Sequence, residues 1–141
     1  PVINLIDLVA SHVKYNFPHQ RKFGILASPA VAMTGLYTQR FSRLGIEDVW
    51  PDPDHQAHLL SIIKAIKKGE TGSKVRNEYS KVCQNLAHHG AEIALIACTE
   101  LSALGGDLPL PSVDAAEILA IEIVQVATNR KALVYRADRG V

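Results

Sequence analysis

No stretch of this chain approaches the roughly 20 consecutive apolar residues that a membrane-spanning helix requires, and no basic-then-apolar leader pattern opens it. The expectation is a protein with no membrane partner, and an opening on Pro1 in place of Met is expected of a chain that starts inside a longer protein. Cysteine is scarce: Cys83 and Cys98 stand fifteen positions apart, which matches neither zinc spacing nor a CxxC redox pair. So uncrowded a pair fits a reducing compartment, and the cytosol is the default location. An excess of one charge is also lacking, because 15 basic side chains face 14 acidic ones and leave a formal net charge of +1. Nothing in that balance attracts nucleic acid or an anionic membrane. No GxGxxG follows an apolar run, which argues against a dinucleotide site. Ser28 and Cys98 stand where a phosphoacceptor domain would need an acidic residue. No internal repeat, linker or low-complexity segment interrupts the chain.

What is present suffices for one compact domain, since 141 residues at 48% hydrophobic can bury one substantial core but hardly two. Behind a capping Asn4, Ile6, Val9, Ala10, Val13 and Phe17 recur at helical spacing, and Pro18 ends that helix. The run "FGILA", residues 23–27, reads as a strand buried on both faces. Ser28-Pro29 then leads into a helix expected over 30–44 and stopped by Gly45. A second strand over 46–49 closes at Pro51, and Asp54 is expected to cap the next helix. That helix buries Leu59, Ile62, Ile63 and Ile66 and ends at Gly69 behind Lys67 and Lys68. Another, over 73–89, buries Val75, Tyr79, Val82 and Leu86 and stops at Gly90. Residues 93–97 form a third buried strand and 108–110 a brief fourth, and Asp114 starts a final helix to about Thr128. The closing "KALVYRADRGV" could add an edge strand or dock on a neighbour.

Strands that alternate with helices and read as continuous apolar runs argue for α/β architecture: a doubly wound, four-stranded parallel sheet with helices on both faces. Right-handed crossovers place the strand-to-helix loops on the carboxyl edge, where ligands bind in open α/β folds. Ser28, Pro51, Cys98 and Pro111 are all expected there.

Cys98, in "IACTEL", leaves a buried strand just before a helix start, near unpaired N–H groups whose partial positive charge favours thiolate. The same amides of Thr99 and Glu100, with the Thr99 hydroxyl, can accept a carboxylate beside the sulfur, an arrangement suited to proton abstraction next to that carboxylate. The ordinary alternative is a small buried apolar residue, and position alone leaves both open. Cys83 falls beside Val82 and Leu86 on a helix and reads as core or helix surface. Of the six histidines, His55 and His58 lie one turn apart, a spacing a metal could use, but with no third ligand nearby no metal site is assigned.

These features together resemble the second of the two similar halves of the aspartate/glutamate racemase family. The resemblance is carried by "GILASPAVAMTGLY" (24–37), which has the layout of that half's strand, Thr-rich turn and Tyr. It continues in Gly45-Ile46 with Pro51, in Ile66-Lys67-Lys68-Gly69, in Ala97-Cys98-Thr99-Glu100-Leu101, and in "LPLPSVDAAEILA" (108–120). It implies a cofactor-independent amino-acid racemase in which one cysteine from each half faces opposite sides of the substrate α-carbon. Carried over, Cys98 is the acid/base of this half, Thr99 and Glu100 form the substrate loop, Ser28 stands at the first hydroxyl of the turn, and Lys67 is the lysine near the substrate. The implied ligand is a small amino acid or diacid, and the implied partner is an N-terminal lobe with its own cysteine, or a second copy in a homodimer. Departures accompany the match: Val31 replaces a threonine that contacts substrate, Ala97 replaces a glycine, and Cys83 cannot stand in for the missing cysteine. The lone half is therefore expected to be inactive or nearly so. Two other readings compete: a non-catalytic α/β binding or dimerisation module, and a related single-cysteine decarboxylase or isomerase.

Overall fold

The computed structural model describes residues 4–128. Its elements run α1 (Leu5–Asn16), β1 (Lys22–Leu26), α2 (Pro29–Thr34), α3 (Leu36–Arg43), β2 (Glu47–Val49), α4 (Pro53–Lys67), α5 (Ser73–His88), β3 (Ile93–Ile96), α6 (Thr99–Leu104), β4 (Ser112–Asp114) and α7 (Ala115–Ala127). All strand pairs are parallel, in the order β2-β1-β3-β4. The chain leaves β1 toward β2 on one side and then crosses to β3 on the other, so the strand order reverses at the β1/β3 boundary.

The period-two geometry of strands divides the core between the two faces. Phe23 and Ile25 of β1 and Ala27 just after it pack with Ile93 and Leu95 of β3 against α1, α3 and α7, where Phe23 and Phe41 meet edge to face. Leu26 and Ala94 face the other way, toward Leu59 and Ile63 of α4 and Tyr79, Val82, Cys83 and Leu86 of α5. Burying each such leucine or isoleucine contributes about 1.5–3 kcal/mol. Gly24 lies under α5, where a Cβ would sit 2.8 Å from Leu86 Cδ1 and 3.1 Å from Ala91 Cβ. Glu92 Oε1 accepts from the amides of Arg21 and Lys22 at 3.0 and 3.1 Å, tying the β3 entry to the start of β1.

Several expected boundaries move. The helix expected over 30–44 is two helices, because Gly35 adopts a left-handed conformation (φ 66°) that closes α2 and starts α3 at a new angle. Asp52, not Asp54, caps α4: its Oδ1 accepts from the His55 amide at 2.9 Å, which leaves Asp54 in the first turn. The fourth strand is 112–114 and not 108–110, since Pro109 and Pro111 have no N–H to donate to a ladder. Pro111 instead offers its carbonyl to the Ala94 amide at 2.8 Å, so it precedes a strand and does not follow one at the carboxyl edge. The closing 131–141 segment lies outside the described residues.

Gly24→Val overpacks the α5 contact and is expected to cost about 1–3 kcal/mol, read as a lower urea midpoint; an unchanged midpoint would contradict the packing. Asp52 is held at about 2, below its ordinary 3.8, first by the His55 amide and then by the His55 side chain, with Asn85 assisting. A depressed carboxyl stabilises above its unfolded value and loses that contribution as pH falls through the folded one. Asp52→Asn keeps a capping oxygen, so melting temperatures measured between about pH 4 and about 2 should fall less steeply in the variant than in the parent.

Candidate active site

Ser28 and Cys98 each lie two residues beyond the register pair Leu26 and Ile96, at the carboxyl ends of neighbouring strands and beside the point where strand order reverses. The Ala97 amide still bonds the Leu26 carbonyl at 2.9 Å, so backbone pairing carries up to the residue before the cysteine. Cys98 then takes an extended conformation (φ −149°) and stands as the N-cap of α6 without a side-chain capping bond. Its sulfur is free for other partners.

Those partners form a small network around one carboxylate. Cys98 Sγ and Thr99 Oγ1 both donate to Glu100 Oε2 at 3.2 Å, and Lys67 Nζ, from the last turn of α4, lies 3.7 Å from Glu100 Oε1. The hydrogen bond from the Cys98 thiol first, then Glu100's own amide, the Thr99 hydroxyl and the Lys67 charge, hold the Glu100 carboxyl below its ordinary range. Behind the loop, Ser102 Oγ donates to Asp114 Oδ1 at 2.8 Å, and Asp114 also accepts from the Ala116 amide, so α6 is fastened to the start of α7. A cavity of about 120 Å³ opens beside Cys98, Thr99 and Ser102, walled by Leu5, Tyr37 and Leu119.

One expectation is reversed. Cys98 was expected to favour thiolate, yet its thiol is pushed up from the ordinary value, chiefly by burial and further by the Glu100 carboxylate; the amides of Leu101 and Glu100 pull the other way and do not prevail. A six-residue helix supplies little dipole, and a carboxylate at hydrogen-bond distance penalises a second negative charge. The structure thus brings Cys98, Thr99, Glu100 and Lys67 together. Ser28 shares the edge, but its Oγ caps α2 by accepting from the Val31 amide at 3.4 Å. Val31 packs against the α1/α3/α7 core. His55 and His58 pair with different carboxylates, Asp52 and Glu78. Gln56 was not foreseen; its Nε2 donates to the Ala27 carbonyl at 2.8 Å and finishes the end of β1. Nor was Asp114's grip on Ser102, although an acidic cap twelve residues beyond that serine was visible as such.

The family model described as Asp/Glu/Hydantoin racemase matches residues 1–123. The chain belongs to this family. Among solved structures, the aspartate racemase of Picrophilus torridus is 25% identical with a TM-score of 0.76, the match covering 89% of this chain and 52% of that one. An aspartate racemase homologue from Pyrococcus horikoshii shares the fold at 22% identity and a TM-score of 0.75, over 91% of this chain and 57% of that one. The chain spans about half the length of these racemase-family structures.

Replacing Glu100 by Gln removes the carboxylate that opposes Cys98 ionisation while keeping an acceptor. The pH midpoint of Cys98 alkylation by iodoacetamide should then move down; a midpoint that stays put or rises would contradict the electrostatic coupling.

Proposed function

We propose that this chain is the second lobe of a two-lobed, cofactor-independent amino-acid racemase acting on aspartate, glutamate or a related small acid in a reducing cytosol. The observation that carries the proposal is the shared carboxylate: a thiol at the strand-order reversal donates to an acid that Thr99 and Lys67 also hold. In the lone lobe Glu100 fills that position, and its carboxylate stands in for the acid group of a substrate. A substrate carboxylate bound by the same hydroxyl and ammonium would lie beside Cys98 Sγ, with its α-carbon within the sulfur's reach.

Racemisation at such a carbon needs a base on one face and an acid on the other. Burial and the Glu100 carboxylate push the Cys98 thiol up, and in one direction of the reaction it serves as the acid. An opposing thiolate, supplied by the absent lobe, takes the α-proton, and Cys98 Sγ–H returns one to the other face. Lys67 and the Thr99 hydroxyl stabilise the charge that builds on the carboxylate oxygens as the C–H bond breaks. The two cysteines exchange roles in the reverse direction. With one wall and one base missing, the chain alone should not racemise.

A non-catalytic binding module is the second reading, favoured by the apolar Val31 on the α2 turn. The two readings separate in a two-lobed protein containing this chain. If the racemase reading holds, Cys98→Ser lowers exchange of the substrate α-proton with solvent deuterium by roughly 10²–10⁴-fold, measured by proton NMR. Absent exchange in the parent, or equal exchange in the variant, would leave the binding module standing.

A further inference from the structure

Thr99 and Lys67 provide for the acid group of a substrate, but the side chain on the same α-carbon also needs a place, and the walls beside Cys98 decide its chemistry. Cys98 and Thr99 belong both to the carboxylate network and to the cavity of about 120 Å³ next to it, whereas Lys67 and Glu100 belong to the network alone. Away from the network the cavity is bounded by Leu5 of α1, Tyr37 of α3 and Leu119 of α7, and Ala97, Ala115 and Ala116 complete its apolar walls. A second cavity, of about 340 Å³, shares Leu5, Tyr37 and Ala97 with the first and continues past Val31 and Leu36. The two adjoin and make one trough that starts at the sulfur.

The polar side chains along this trough are turned to the protein's own groups. Thr99 Oγ1 donates to Glu100 Oε2, and Ser102 Oγ donates to Asp114 Oδ1. Asn4 Oδ1 accepts from the Ile6 and Asp7 amides as the cap of α1, and Thr34 Oγ1 donates to the Val31 carbonyl. Tyr37 is fixed edge to face on Phe41, and burial keeps its hydroxyl un-ionised. Among the described residues no Lys, Arg or His lines either cavity. A second carboxylate placed there would lose its water and meet no cation, which is the costly way to bury a charge. An apolar group would give up no hydrogen bond and would gain the burial. An apolar cavity of about 150 Å³ takes a benzene ring. The space beside Cys98, about 120 Å³, therefore suits an aliphatic group of about four carbons.

We propose that this cavity is the side-chain pocket of the site, and that it selects a small amino acid with a branched aliphatic side chain, such as leucine, over the diacids aspartate and glutamate. The inference rests on the reading of Cys98, Thr99 and Lys67 as the place of the α-carbon and its carboxylate, and it chooses among the small acids which that reading admits. With Lys67 committed to the carboxylate network, no cation remains in the pocket for a second acid group. Leu5 and Leu119 are then specificity-determining residues, brought to the same cysteine from helices near the two ends of the described chain.

Binding is read in the full 141-residue chain as protection of Cys98 from iodoacetamide at a fixed pH. Leucine, aspartate and glutamate are titrated separately, and labelling is quantified by mass spectrometry on the peptide containing Cys98, with the peptide containing buried Cys83 as the control for unfolding. Leucine should halve the rate at a concentration roughly ten- to a hundredfold lower than either diacid, and glycine, alanine, valine and leucine should protect in rising order. Equal or better protection by a diacid would overturn the proposal, and so would protection by none of these acids. Leu119→Arg puts a cation in the wall and should bring aspartate ahead of leucine; an unchanged order in the folded variant counts against the pocket. The glycine-to-leucine series uses the parent chain and decides the matter whether or not that variant folds. Protection reports binding, whereas deuterium exchange at the α-carbon reports racemisation. Leucine protection without exchange in a two-lobed protein would remove the catalytic reading and leave the pocket in place.

Discussion

The pairing of β1 with β3 has to satisfy its backbone groups and both of its faces at once. Central parallel strands have no water on either side, so each N–H and C=O must pair in the ladder and each side chain must find apolar neighbours. Register Phe23 to Ile93 through Leu26 to Ile96 meets both demands. It places Phe23, Ile25, Ile93 and Leu95 on one core and Leu26 and Ala94 on the other. A slip of one residue would turn every one of these to the wrong face. Gly24 belongs to the same constraint, because α5 approaches closely enough to leave no room for a side chain.

Where that ladder stops, the chemistry begins. After Ala97 the chain no longer needs a sheet partner, and Cys98 and Ser28 emerge side by side at the reversal of strand order. The sulfur remains in contact with the α4/α5 core while its proton reaches Glu100 at the surface. That divided setting explains the direction of its ionisation: the apolar side withholds solvation and the polar side presents a negative charge.

Much of the fold was legible in the sequence. The apolar runs "FGILA" and "IALIA" and the stripes of α1, α4 and α5 follow from burial and periodicity, which are local properties of the chain. The errors came where local signals were balanced. Asp52 and Asp54 are equally good caps by type, and which one serves depends on the turn after Val49, where Asn85 receives the Asp52 amide. "LPLP" has the apolarity of a strand, but strand status depends on what β3 needs from its neighbour, and β3 pairs with the residues after the second proline.

For the site, residue order alone determined that Cys98, Thr99 and Glu100 would share one loop at the end of a buried strand, and the family resemblance drew Lys67 toward it. Tertiary structure decided the rest. That Glu100 folds back onto the thiol and that Lys67 closes on its far oxygen are facts about α4 and α6 meeting over one edge. Apolar periodicity is written in neighbours along the chain, whereas the charge a thiol will bear is set by whether a nearby carboxylate folds back onto it and by how much water the packing of distant helices excludes.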